Sequence, residues 1–83
     1  MLKTTLEVEL TVPARRTTYR NMLQKEYKVF LTQKEADALE EAWSIVKSKL
    51  GCEISINGVR HRVVEYVYSM SNQSWILVRN LEM

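Results

Sequence analysis

Apolar residues recur at every second position near the start of the chain. Leu2, Leu6, Val8, Leu10 and Val12 share one parity, broken only by Thr4, while Lys3, Thr5, Glu7, Glu9 and Thr11 take the other. Period-two alternation over this length predicts a strand across residues 2–12, with one face on a core and one in water. Pro13 ends it, because proline has no N–H to continue a ladder. A shorter alternation, Tyr27, Val29 and Leu31 against Lys28 and Phe30, predicts a second strand over 27–31. Between the two, residues 15–26 fit a long basic loop, an extension of a hairpin or a helical turn, and the pattern does not choose among them.

The period then changes. Ala36, Leu39, Trp43, Val46 and Leu50 fall three and four apart, with Ala42 and Ile45 widening the stripe. This predicts a helix over 33–50 whose apolar side covers the sheet. Thr32 with Glu35 three places on makes a capping box, and Gly51 suits the left-handed position that stops a helix. Glu35 and Asp37 near the start, and Lys47 and Lys49 near the end, both suit the helix dipole.

Asn57-Gly58 is the preferred pair for a two-residue hairpin turn. It fixes a register in which Ile56 faces Val59, Ser55 faces Arg60, Ile54 faces His61 and Glu53 faces Arg62. Opposite charges at the last pair favour that register. Strict alternation would then leave Tyr66 and Tyr68 outside, whereas a bulge at Val63-Val64 would turn them inward. A turn at residues 71–74 leads to a last strand over 75–81. The predicted order is β-β-α-β-β-β: a two-layer α+β domain, one helix on a mainly antiparallel sheet.

Length and composition narrow the function classes. Eighty-three residues make one domain, spanning 1–83. The start of the chain lacks the continuous apolar stretch of a signal peptide, and no run reaches the length of a membrane span. One cysteine cannot form an internal disulfide, which points to a reducing, cytoplasmic setting. Catalysis lacks its parts. Cys52 and His61, the only cysteine and histidine, fall diagonally on one face of the hairpin with no third group to orient them. The bland reading, a small core cysteine and a histidine at the rim, is preferred. No residue pattern implies a metal or a cofactor, and both glycines have turn or cap roles. Met22 and Met70 carry no signal singly.

Charge is where the chain is uneven. Residues 13–28 hold Arg15, Arg16, Arg20, Lys25 and Lys28 against Glu26, a local +4 in a chain of net charge +2. A solvated chain needs no such asymmetry, whereas a surface for an acidic partner does. The expected function is therefore non-enzymatic: a small binding or regulatory protein acting through the basic loop and a sheet edge. Inhibitors and accessory proteins of phages and mobile elements are often small chains of this kind. Arg15, Arg16, Tyr19 and Arg20 are the primary candidate contacts, Arg60 and Arg62 the secondary ones. The expected partner is an acidic protein, and the strand over 2–12 is a candidate homodimer edge. The alternatives are nucleic-acid binding by the arginines and tyrosines, and capture of a small anionic ligand such as a nucleotide. Replacing Arg15, Arg16 and Arg20 together with Ala is expected to leave stability nearly unchanged, because exposed charges contribute little, and to weaken partner binding at least about tenfold; normal binding would make the segment only a solvated loop.

Overall fold

The computed structural model describes residues 8–23 and 25–82. It contains β1 (Glu9–Leu10), a 3-10 turn (Ala14–Arg16), β2 (Thr17–Asn21), β3 (Glu26–Phe30), α1 (Gln33–Ala42), β4 (Glu53–Ile56), β5 (Val59–Val67) and β6 (Trp75–Asn80). One helix lies on one six-stranded sheet, the expected α+β architecture. The expected element order stands, with one addition: the basic segment supplies β2. The portion of the first expected strand from Leu2 to Glu7 lies outside the described residues.

The strands run in the order β1-β4-β5-β6-β3-β2, with β1 parallel to β4 and every other neighbour antiparallel. The hairpin register follows the turn chemistry. Glu53 faces Arg62 and Ile54 faces His61, and Asn57 and Gly58 hold positive φ at the turn. The register slips between Val63 and Glu65, so the bulge is present and Tyr66 packs on the core. Its ring meets Trp43 edge-on at 5.7 Å and its hydroxyl donates to Glu40 at 2.7 Å, joining helix and sheet by both apolar and polar contacts.

The helix is shorter than its apolar stripe suggests. The capping box at Thr32 and Glu35 forms as expected. The helix ends at Ala42, and Trp43, 1% exposed, closes it with its N–H bonded back to the Leu39 carbonyl. Beyond it, the Ser44 hydroxyl donates back to the Glu41 carbonyl, and β-branched Ile45 and Val46 follow. Both features favour tightened turns over a continued helix. The expectations for the last turns are corrected accordingly. Ile45 and Leu50 are exposed, and Gly51, although left-handed, donates its N–H to Val63 of β5 instead of capping α1.

A ten-residue helix cannot cover six strands. The uncovered part of the helix-side face lies beneath the segment 11–16, which carries the chain from β1 at one edge to β2 at the other. This strap is pinned at both ends. Asn57 Oδ1 accepts from the Val12 N–H at 2.8 Å, and its Nδ2 donates to the Val12 carbonyl at 2.9 Å. At the far end Arg16 reaches Glu35 on the helix and the Phe30 carbonyl on β3. Val12 is thereby held in the core with Leu10, Ile54, Ile56, Val63, Val29, Ile76 and Val78.

Candidate protein-interaction surface

The six candidate residues do not gather on one surface. Alternation along β2 and β5 sends Arg20, Arg60 and Arg62 to the face opposite the helix, while Tyr19 and Arg16 stand on the helix side. Arg16 is a structural pin. Its guanidinium donates through Nη1 to Glu35 Oε1 at 2.6 Å and through Nη2 to Oε2 at 3.1 Å, a two-pronged pair with both side chains mostly covered. Burial pushes the Glu35 carboxyl up, but the Arg16 bonds and charge, with the Thr32 N–H, outweigh it and hold it below the ordinary carboxylate range. Glu35 therefore serves the cap and the strap at once.

Arg60 and Arg62 are engaged with one carboxylate. Glu53 accepts from Arg60 at 2.9 Å and from Arg62 at 3.4 Å. The hydrogen bond from Arg60 lowers the Glu53 carboxyl below its usual range. Arg20 reaches Glu65 at 3.5 Å, Arg79 reaches Glu26 at 2.6 Å, and the Lys28 ammonium sits 4.3 Å from the Trp75 ring centroid. The open face is thus tiled by ion pairs of its own. Beneath them Leu77, which belongs to that face, is 1% exposed with no helix above it.

Of the candidate residues, Arg15, Tyr19 and Arg20 lie on or just before β2. This is an edge strand: β3 pairs with one side and no strand of the described residues takes the other. Thr18, Tyr19 and Arg20 are exposed, as is Arg15 in the turn before them. The hairpin tip follows, with Met22 73% and Leu23 95% exposed. Tyr19 stacks obliquely on Tyr27 at 5.4 Å, which fixes one edge of its ring and leaves the other open. Met22 and Leu23 were not legible as site residues. Their signal was two adjacent large apolar side chains in the most polar stretch, at a place where only a hairpin tip could leave them bare.

Cys52 and His61 form no pair. The Cys52 thiol is raised by burial and contacts the Ser48 carbonyl, while His61 bonds Tyr27 and Val59. His61 is also buried, against the expectation of a rim position. No helix of the described residues is long and apolar enough to cross a membrane. No family model, curated protein or solved structure matches this chain.

Proposed function

We propose that the protein is a non-enzymatic binding module that grips an acidic protein partner along the β2 edge and its hairpin tip. The observation that carries the reading is the exposure of Met22 and Leu23 at the end of an edge strand, flanked by Arg15, Tyr19 and Arg20. Methionine, tyrosine and arginine are enriched in protein interfaces, and an apolar centre inside a charged rim is the usual anatomy. Arg20 and Glu65 are both more than half exposed, so solvent screens their pair and a partner carboxylate can displace Glu65. The register slip between Tyr19 and Asn21 interrupts the regular run of backbone groups along the β2 edge. Specificity then falls to the tip rather than to strand addition. A surface of this kind suffices for an inhibitor or accessory protein, which needs only to occlude or bridge.

The test is a photo-crosslinking side chain placed at Leu23, and separately at Arg62 on the open face, in the native host. The expected result is one discrete protein adduct from position 23, lost in the Arg15→Ala/Arg20→Ala background. An adduct only from position 62 would move the surface to the open face, and a nuclease-sensitive adduct would replace the protein partner with nucleic acid.

A further inference from the structure

Under the strap lies an open pocket of about 230 Å³, walled by Val12, Ile56 and Val59 on one side and by Tyr19 and Tyr27 on the other. Among the described residues no charged side chain lines it. At its floor is an oriented hydrogen-bond chain. His61 Nδ1 lies 2.7 Å from the Val59 carbonyl, and its Nε2 lies 2.7 Å from the Tyr27 hydroxyl. A carbonyl can only accept, so Nδ1 carries the proton. His61 is 2% exposed, and burial holds its imidazole neutral against the weaker pull of the Val59 carbonyl and of Glu82. Nε2 must then accept, and the Tyr27 O–H donates to it. The Tyr27 hydrogen is committed inward, and what the hydroxyl turns toward the pocket is lone pairs alone.

We infer that this pocket is a binding site for a small, flat, neutral heterocycle carrying an N–H donor. The Tyr27 oxygen accepts the N–H, and the ring packs between the Tyr19 ring and the apolar wall. The volume suits one or two fused rings and falls below the roughly 300–1,000 Å³ of drug-sized sites. No cation lines the pocket to draw an anion in, and the Tyr27 lone pairs repel one; the polar groups of Thr17, Asn57 and Asn80 in the lining are neutral. The expected capture of a nucleotide by arginines and tyrosines therefore does not transfer to this pocket, whose tyrosines come without an arginine. The strap keeps the site open, because Asn57 and Arg16 hold its two ends at a fixed height above the sheet.

Three probes separate these properties: indole, which has an N–H and no acceptor, N-methylindole, which lacks the N–H, and benzoate. Amide and imidazole nitrogen shifts of the folded protein are followed during titration. Indole should give saturable shifts confined to Tyr19, Tyr27, His61 and the strap. N-methylindole should bind at least about tenfold more weakly, the cost of leaving one acceptor unpaired. Benzoate should not bind. Ala14→Leu, at an exposed position on the pocket rim, should block indole while the fold persists. Tyr19→Ala, which removes the half-exposed ring wall, should likewise weaken indole and gives a second variant should the first fail to fold. The inference is overturned if indole shows no saturation into the millimolar range, or if N-methylindole or benzoate binds as well as indole does. Unchanged affinity in a folded Ala14→Leu variant would overturn it too.

Discussion

Arg15 and Arg16 are neighbours in sequence with different work. The Arg16 fork is filled by Glu35 and the Phe30 carbonyl, while Arg15 stands in solvent. Arg16→Ala should therefore cost about 1–3 kcal/mol, since it strips charged bonds from a mostly covered pair. Arg15→Ala and Arg20→Ala should each stay within about 0.5 kcal/mol in the same urea melts. Removing all three would thus lower stability, through Arg16 alone. His61 gives a second prediction. Its folded pKa is lowered, chiefly by burial, so the unfolded chain binds the proton more readily. Stability is then full above the ordinary imidazole range and is lost as pH falls through the folded value. Thermal melts should decline across the mildly acidic range, and imidazole nitrogen shifts should place the His61 midpoint below that of a free histidine. Glu35 loses its stabilising ionisation too, but only in the lower carboxylate window.

At the scale of the element, the legible parts were those whose signal is local. The Asn57-Gly58 turn set the hairpin register to the residue, and adjacent valines marked the bulge. The helix start was written in Thr32 and Glu35. Its end was not, because a stripe continuing through Val46 and Leu50 records spacing and not whether the backbone stays helical. Trp43→Ala should cost about 3–5 kcal/mol, whereas Leu50→Ala should stay within about 0.5 kcal/mol. Comparable losses from both would restore the longer helix. The strap was illegible for a different reason: its pins link residues 45 and 19 positions apart, and no periodicity carries such pairs. The same distance hid the role of Arg16, which looked like one of three equal cations. Asn57→Gly tests one pin. Glycine keeps the left-handed turn but removes both bonds to Val12, which should cost about 1–2 kcal/mol and expose the Val12 amide to exchange.

For the whole molecule, one helix serves a sheet with two faces, and ion pairs do the covering on the second. Arg20, Lys28 and their partners roof Leu77, Trp75 and Phe30. The double substitution Arg20→Ala/Lys28→Ala should uncover an apolar strip. The expected outcome is stronger binding of a hydrophobic dye and, at high protein concentration, self-association in sedimentation runs. If neither rises, the roof is not what keeps that strip from solvent. High salt alone should do less, because the Lys28 stem stays over the Trp75 and Phe30 rings when charges are screened.

Among the described residues the parallel seam between β1 and β4 shows two residue pairs, each joining positions 46 apart in sequence. A long loop must close before these edge bonds form, so this seam should form late on folding and part early in the native state. Its opening unit is β1 together with the near end of the strap, and it bares the β4 edge and the Tyr27–His61 floor in one event. The Ser55 and Asn57 amides, bonded to the Val8 and Leu10 carbonyls, report that event directly. They should exchange with solvent faster than the amides of β6 at the centre of the sheet, and at matching rates, as one cooperative unit.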